Sequence, residues 1–340
     1  MSGRRGFDSP PHGFGDDEET RTLLRSRPPR QALDWVGAAI GGTVISAHAL
    51  RGAMSSAVHA LTVHLPNDRN EHVVLRRYVR PEVNEEEPDI GEREARVLRF
   101  VEAVDVPTPR LLAVDPTGAE AGVPTILMSR IPGRVDWSPS DMDRWLHRLA
   151  AILPRIHATP VPQPGVIRPF SPEVPTSYEP PPWTRRPTIW ERAVEIYLGP
   201  APDCDAVFIQ RDFHPGNVLW RRGTVTGVVD WQSGSIGPAW ADVAHCRVNL
   251  FRYGLEVADR FTDIWEQLSG RSYHPWAEVV WIVGCLDGLR DGQASDDFVM
   301  EEALARAVGE MGTSPSYSSS SSLWRSPSRC IGECGTVPTP

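Results

Sequence analysis

The segment of residues 205–242 constrains the fold of this chain more than any other part of it. Its apolar residues form three short runs, Ala206–Ile209, Val218–Trp220 and Thr226–Val229, and turn signals separate them. Runs of β-branched and aromatic residues that are interrupted in this way are typical of buried strands. The pattern predicts strand, loop, strand, turn and strand, with Arg222-Gly223 at the hairpin corner.

Three oxygen-bearing side chains follow these strands. Asp212 and Asn217 lie on the predicted loop, and Asp230 follows the hairpin. We expect them to converge at the mouth of one small sheet. Carboxylate and amide oxygens suit Mg²⁺, and phosphoryl transfer combines such ligands with one carboxylate that accepts a hydroxyl proton. Asp and Asn are also ordinary turn residues, but the three together in this strand context favour a phosphoryl-transfer site.

The phrases QRDFHPGNVLW and GVVDWQSGSIGPAWADVAH in this segment resemble the catalytic region of the aminoglycoside phosphotransferase and choline-kinase-like family. The family pattern reads roughly H-G-D-x-H-x-x-N, then I-D-W/F, then G-x-P-x-x-D-L-A. The matching residues are Asp212, His214, Asn217, Asp230, Trp231, Gly237, Pro238 and Asp242. Gln210 and Arg211 stand where the family usually has His-Gly.

The resemblance implies an α+β, bilobal, protein-kinase-like fold with a β-rich N-terminal lobe and a mainly helical C-terminal lobe. It also implies ATP-dependent phosphorylation of a hydroxyl on a small molecule. Asp212 would accept or orient the hydroxyl proton, while Asn217 and Asp230 would hold Mg²⁺. His214 and Asp242 would support the catalytic loop, the latter by hydrogen bonding.

The strand predicted over Glu71–Tyr78 carries two adjacent arginines, Arg76 and Arg77, which alternation places on opposite faces. The resemblance puts Arg76 where related kinases have the lysine that binds the nucleotide phosphates. Glu94, on the apolar stripe of a helix predicted over Ile90–Val104, would pair with it and aim it. Local sequence fits a solvated carboxylate at a helix start equally well for Glu94.

Two further segments complete the implied nucleotide site. Gly52 lies in a loop between two predicted strands, where backbone N–H groups and the hydroxyls of Ser55 and Ser56 would contact phosphate oxygens. A plain hairpin turn explains that loop as well. The resemblance places an inter-lobe hinge after the last strand of the first lobe, with backbone groups near Met128 and Arg130 meeting the adenine.

Composition predicts a tail at each end of the chain, and the resemblance divides the residues between the tails into two lobes. Residues 1–31 are rich in Pro, Gly, Arg and acids, which predicts a disordered tail. Residues 32–130 form the expected N-terminal nucleotide-binding lobe, and residues 131–311 form the expected C-terminal catalytic and substrate lobe. Residues 312–340 are Ser/Pro-rich and predict a second disordered tail.

Helical periodicity organises the second lobe. A core helix is expected to begin after Ser138, to be kinked in its last turn by Pro154, and to end near His157, which we interpret as a structural histidine. Another helix is predicted over Val243–Tyr253, after the catalytic segment. The Pro-rich stretch Thr159–Pro187 predicts an irregular connection.

Charge and cysteine content exclude several classes of protein. The formal net charge of −9 argues against nucleic-acid binding dominated by phosphate contacts. Five cysteines without C-x-x-C spacing suggest reduced thiols and a cytoplasmic location. The most apolar stretch, Trp35–Ala49, contains three glycines and is too short to cross a bilayer, so no membrane association is expected.

Two alternatives remain open. A catalytically impaired nucleotide-binding regulator of the same fold is suggested by Gln210-Arg211, by the single Gly52 in the loop and by Arg76 in place of lysine. A metal-dependent hydrolase would use the same carboxylates, but the lack of an H-x-x-E-H motif counts against it. The acceptor is open among aminoglycosides, macrolides, choline, amino-alcohols and sugars.

Overall fold

A computed structural model describes residues 18–50, 55–289 and 297–313 of the chain. The helices, in chain order, are α1 (Glu18–Arg25), α2 (Arg30–Ile40), α3 (Pro81–Glu86), α4 (Ile90–Val101), α5 (Met142–Ala150), α6 (Ile152–His157), α7 (Pro187–Leu198), α8 (Ala239–Leu250), α9 (Leu255–Ser269), α10 (Trp276–Gly284), α11 (Leu286–Leu289) and α12 (Asp297–Thr313). The strands are β1 (Thr43–Ala49), β2 (Ala57–His64), β3 (Asn70–Arg77), β4 (Leu111–Asp115), β5 (Thr125–Ser129), β6 (Ala206–Ile209), β7 (Val218–Arg221), β8 (Thr224–Val228) and β9 (Ser235–Pro238). Short 3₁₀ turns cover Pro215–Asn217 and Phe251–Tyr253.

These elements form two compact units. The first unit contains the chain up to Pro139 together with Gly216–Ser233, and the second contains Ser140–Pro215 together with the chain from Gly234 onward. The first unit is built on an antiparallel sheet in the order β1-β2-β3-β5-β4. The second is mainly helical. The predicted α+β fold class is confirmed.

The central sheet of the first unit buries one face against helix α2. Alternate residues of β2 and β3 point to this face and meet Val36 of the helix, because side chains alternate between the two faces of a strand. The buried cluster consists of Val36, Leu61, Val63, Val73, Leu75 and Leu127. The same alternation decides which of the two arginines on β3 faces the functional site.

The hairpin β7–β8 belongs to the first unit, although the sequence assigns it to the C-terminal lobe. Arg134 and Trp220 exchange backbone hydrogen bonds of 3.0 and 2.8 Å, and the Val228 N–H donates to the Pro107 carbonyl at 3.0 Å. The predicted corner is confirmed, since Arg222 and Gly223 both have positive φ, 51° and 70°. This is the turn geometry that matches strand twist.

The prediction of one small sheet in the segment 205–242 is wrong. Strand β6 pairs with β9, whereas β7 pairs with β8, and the two pairs lie in different units. The sequence did not reveal β9 because its Gly237 and Pro238 are poor strand residues. The buried strand β6 nevertheless pairs with it in antiparallel register.

Three helix boundaries differ from the predictions. The break between α5 and α6 falls at Ala151, one turn before Pro154, because proline lacks an N–H and crowds the preceding turn. Helix α8 begins at Ala239 instead of Val243, directly after Pro238, whose restricted φ suits a helix start. Helix α4 ends at Val101, three residues earlier than predicted.

The predicted tail over residues 1–31 is corrected from Glu18 onward. Residues 18–25 form α1, which contacts β2 and buries Leu24, whereas its neighbour Leu23 is exposed. The second tail was predicted over 312–340, but Gly312 and Thr313 are the last residues of α12. Residues 1–17 and 314–340 lie outside the described residues, as does Gly52. Among the described helices, none combines the length and apolarity that a membrane-spanning helix requires.

Candidate active site

The first unit contains a buried charge cluster centred on Arg76. Its guanidinium Nη1 lies 3.0 Å from Glu94 Oε1 and 2.9 Å from Asp230 Oδ1. The side chains of Arg76 and Glu94 are 8% and 1% exposed, while that of Asp230 is 29% exposed. The predicted ion pair between Arg76 and Glu94 is therefore confirmed, and Asp230 joins the same cation.

Strand β3 and helix α4 position this pair. Alternation along β3 directs Arg76 to the cluster and Arg77 to the opposite face, next in line after Val73 and Leu75. Helix α4 buries Glu94 together with the apolar residues of its inner stripe. A solvated position for Glu94, which local sequence left open, is excluded because the residue is 1% exposed.

Two polar residues that sequence reasoning missed complete the cluster. The Tyr78 hydroxyl donates to Glu94 Oε2 at 2.5 Å, and Arg76 Nη1 also approaches Gln232 Oε1 at 3.4 Å. Tyr78 lies two residues beyond Arg76, so spacing of i, i+2 along extended chain was the available signal for Tyr78. Gln232 lies in a turn after the left-handed Asp230, and alternation gave no signal for it.

Burial and charge compete in this cluster. Burial raises the pKa of Glu94, although Arg76 and the Tyr78 hydroxyl favour its ionised form. Burial opposes the charge of Arg76, but the carboxylates of Asp230 and Glu94 outweigh it and raise the pKa of the guanidinium well above its usual range. Burial also raises the pKa of Tyr78, which therefore acts as a neutral donor. Arg76 remains a fixed cation.

The two predicted magnesium ligands lie in the same unit and are adjacent through the backbone. The Val229 N–H donates to the Asn217 carbonyl at 2.9 Å, so that Asn217 lies beside the residue preceding Asp230. Asp230 itself has a φ of 62°, a left-handed conformation that redirects the chain after β8. One carboxylate and one amide oxygen form a donor set that fits Mg²⁺. Trp231 is fully buried, and its indole N–H donates to the Val228 carbonyl.

In the second unit, Asp242 anchors the loop that precedes Asp212. Its buried carboxylate accepts the backbone N–H of Gln210 at 3.0 Å and that of Arg211 at 2.6 Å. It also contacts His157 Nε2 at 3.0 Å. The predicted bracing role of Asp242 and the structural role of His157 are confirmed.

This anchoring explains how Gln210 and Arg211 can replace the His-Gly of the family pattern. Both bonds to Asp242 use backbone N–H groups, which every non-proline residue has. Arg211 adopts a φ of 68°, where glycine is the unstrained choice. Its guanidinium donates to the Ser171 carbonyl at 2.8 Å and to Glu173 Oε1 at 2.6 Å, which holds the side chain away from the anchor.

Asp212 follows Arg211 with its side chain 36% exposed. His245 Nε2 lies 3.3 Å from Asp212 Oδ1, and the His245 ring stacks on His214 with centroids 5.4 Å apart. The supporting role of His214 stays a prediction. Sequence reasoning missed His245, although it follows Asp242 by three residues on α8 and so shares its helix face.

The other predicted nucleotide-binding residues lie in the first unit. Ser55 Oγ accepts from Gln232 Nε2 at 3.5 Å, and Ser56 is buried. Met128 is buried within β5, and the Arg130 N–H donates to the His72 carbonyl at 3.3 Å. Their contacts with a nucleotide stay predictions, as does that of Gly52.

Comparison with known proteins supports one family. A family model described as the phosphotransferase enzyme family matches residues 53–279. No curated protein matches the chain. Among solved structures, a thermostable mutant of aminoglycoside phosphotransferase APH(4)-Ia, in ternary complex with AMP-PNP and hygromycin B, aligns with a TM-score of 0.59 at 16% identity and covers 84% of this chain and 100% of that one.

A second solved structure is the macrolide 2'-phosphotransferase MphH from Brachybacterium faecium, as the apoenzyme. It aligns with a TM-score of 0.51 at 19% identity, covering 84% of this chain and 99% of that one. Identities this low establish a shared fold. The residues matched by the family model include the charge cluster around Arg76 and the loop anchored by Asp242.

Proposed function

Because the chain belongs to the phosphotransferase enzyme family, we propose that it is a small-molecule kinase that transfers the γ-phosphoryl group of ATP to a hydroxyl. The observation that carries the proposal is the bonding of one buried strand arginine, Arg76, to both Glu94 and Asp230. A fixed cation beside a carboxylate at a strand end is the arrangement that phosphoryl transfer uses to position and neutralise phosphates.

The nucleotide side of the reaction is assigned to the first unit. Arg76 would bind the α- and β-phosphates, since a guanidinium offers a planar pair of donors to phosphate oxygens. Glu94 holds the guanidinium in place by an ion pair, and Tyr78 holds Glu94 by a hydrogen bond. Asn217 and Asp230 would hold Mg²⁺, which when bound neutralises the charge of the phosphates.

The acceptor side is assigned to Asp212. When the acceptor oxygen bonds to the γ-phosphorus, its O–H bond breaks and the proton passes to the Asp212 carboxylate, while the P–O bond to ADP breaks. Partial exposure leaves this carboxylate accessible to a hydroxyl, and the buried Asp242 keeps the loop before it in one conformation.

The alternative of a non-catalytic nucleotide-binding protein loses part of its support. It was suggested by Gln210-Arg211, but the loop anchor acts through their backbone N–H groups, which the exchange from His-Gly preserves. Arg76 in place of lysine still supplies a cation in the ion pair with Glu94. We therefore favour an active enzyme. The cysteine content supports a reducing compartment, and we propose the cytoplasm.

The test is phosphorylation of candidate acceptors by the full chain with ATP and Mg²⁺. One similar structure contains hygromycin B and another is named for a macrolide, so hydroxyl-bearing antibiotics are the first acceptors to screen, followed by choline, amino-alcohols and sugars. Product is detected as an acceptor carrying one added phosphate by mass spectrometry, and GTP replaces ATP in a parallel series.

The decisive variant is Asp212→Ala, with Asp205→Ala as a control that removes an exposed aspartate near the same strand. We expect Asp212→Ala to lower kcat by about 10²–10⁴-fold, the usual contribution of a general base, with an unchanged melting temperature. Asp205→Ala should retain wild-type turnover. Equal turnover in Asp212→Ala and wild type, or no phosphorylated acceptor across the screen, would refute the proposal.

A further inference from the structure

His245 reaches the proposed catalytic base from helix α8, and its hydrogen bonds define its protonation. Its ring Nδ1 lies 3.0 Å from the carbonyl oxygen of Arg211. A carbonyl oxygen only accepts hydrogen bonds, so Nδ1 must carry a hydrogen and donate it. The Arg211 carbonyl therefore assigns a hydrogen to Nδ1 of His245, because histidine tautomers are assigned from their hydrogen-bond partners.

The second ring nitrogen then faces a difficulty. Nε2 lies 3.3 Å from Oδ1 of Asp212. In a neutral ring with a hydrogen on Nδ1, Nε2 is an acceptor, and an ionised carboxylate is also an acceptor only. Two lone pairs facing each other repel. A second proton on the ring removes the conflict, because an imidazolium donates from both nitrogens.

The packing around His245 restricts rotation of its imidazole ring. His214 stacks on one side of His245 with the ring planes only 7° apart, and Trp281 of α10 meets it edge-on at 4.7 Å between centroids. The His245 side chain is 13% exposed. Close packing of this kind restricts side-chain rotation.

The other charged groups packed near His245 form ion pairs of their own. The Arg211 guanidinium binds Glu173. Arg247, further along α8, pairs with Glu278 of α10 and Asp259 of α9, while His157 of α6 pairs with Asp242. Among these described groups, the titratable ones that face His245 are Asp212 and His214.

We propose that His245 is a positioning residue that carries a proton in the resting enzyme. It holds one carboxylate oxygen of Asp212 by a charge-assisted hydrogen bond and so positions the carboxylate toward the acceptor hydroxyl. The nearby cation also favours the ionised form of the carboxylate, which is the form that accepts the hydroxyl proton. This inference rests on the proposed role of Asp212 as the base.

The first experiment needs no turnover and so remains informative if the proposed function fails. Full-length protein with ¹⁵N-labelled histidine is studied by NMR at pH 7.5, where an ordinary imidazole is neutral. We expect both His245 nitrogens to be protonated, with the signal assigned by its loss in His245→Gln. The exposed His147 provides the reference signal.

In Asp212→Asn the amide group can donate to Nε2, so we expect the His245 ring to become neutral with its hydrogen on Nδ1. A neutral ring in the wild-type protein at pH 7.5 would overturn the proposal. So would a stoichiometric transition-metal ion that co-purifies with the protein and is lost in His245→Leu, because Asp212, His214 and His245 offer ligand atoms within 4.8 Å of one another.

The second experiment compares turnover in His245→Leu, His245→Gln and the control His147→Gln. His245→Leu should lower kcat about 100-fold through misplacement of the base, with little change in the KM for ATP. His245→Gln keeps a donor N–H and should recover part of kcat. Wild-type kcat should fall at high pH as His245 loses its proton, and this limb should be missing in the Gln variant.

Equal kcat values for the Leu and Gln variants, with pH profiles like that of the wild type, would show that His245 only packs. His147→Gln should match the wild type throughout. If neither wild type nor control turns over any acceptor, the proposed function has failed, and the NMR result alone decides the protonation of His245.

Discussion

The two units hold the aspartates of the candidate site in different ways. Around Arg76, side chain binds side chain, and the cation is shared by Glu94 and Asp230. Before Asp212, a fully buried carboxylate from Asp242 binds backbone N–H groups. The first arrangement depends on the identity of every residue in it. The second depends on Asp242 and tolerates exchange of the residues whose backbone it binds.

The departures from the family pattern follow this division. In the backbone-anchored loop, His-Gly has become Gln210-Arg211, even though Arg211 has the left-handed φ of 68°. In the charge cluster, Arg76 stands where related kinases have lysine, so the position retains a cation. Both regions contain a non-glycine residue at positive φ, namely Arg211 in the loop and Asp230, with a φ of 62°, in the charge cluster. Such conformations cost about 1–3 kcal/mol each and persist where the surroundings determine them.

The largest effect is expected for Asp242→Ala. The change removes the acceptor of the buried Gln210 N–H and of the partly buried Arg211 N–H, together with the partner of His157. This loss should lower the free energy of unfolding by about 3–5 kcal/mol and reduce turnover. Urea unfolding measures the first and acceptor phosphorylation the second. If the variant is as stable as the wild type, the loop is not held by this carboxylate. Asp205→Ala is the matched control.

The next effect is expected for Arg76→Met. It leaves Glu94 buried without its cation, which should destabilise the protein by about 3 kcal/mol and abolish measurable ATP binding in calorimetry. Arg77→Met is the control, since it removes an equally buried arginine from the opposite face of β3. Comparable loss of ATP affinity in both variants would remove Arg76 from the nucleotide site.

A smaller, pH-dependent effect is expected for Glu94→Gln. Burial raises the pKa of Glu94, so the folded protein retains a proton that the unfolded chain has released. The contribution of Glu94 to stability therefore falls as pH rises from the ordinary glutamate pKa through the raised one. The variant lacks this contribution, and its stability relative to the wild type should increase with pH.

At pH 7 the loss of the charge-assisted bond from Arg76 should cost about 1–2 kcal/mol. Urea unfolding at several pH values measures both effects. A relative stability that is flat with pH, or that decreases, would contradict the burial argument. Glu92→Gln, on the exposed face of the same helix, is the control.

The smallest effect is expected for Arg211→Gly. Glycine removes the strain of the positive φ but frees the unfolded chain and loses the ion pair with Glu173, whose side chain is 70% exposed. The free energy of unfolding should change by no more than about 1 kcal/mol. Destabilisation well beyond this, in denaturant titration, would show that the guanidinium contacts are structural.

Local patterns predicted much of this architecture. Alternation predicted the strands of the first unit and placed Arg76 and Arg77 on opposite faces, and turn residues predicted the corner at Arg222-Gly223. These features depend on neighbours in sequence, so that periodicity and turn chemistry reveal them. The pairing of Glu94 with Arg76, by contrast, was implied by the resemblance, since local sequence left a solvated Glu94 open.

Long-range pairing lay beyond the sequence. Three contacts depend on which buried surfaces meet in the folded protein. They are the pairing of β6 with β9, the ion pair between Asp230 and Arg76, and the contact between His245 and Asp212. The spacing of residues along the chain does not predict contacts between segments that are far apart in sequence. The sequence therefore determined which reactive groups are available, because each group follows from the type of the residue. Folding selected their partners, because burial and hydrogen bonding are satisfied between segments that are distant in the chain.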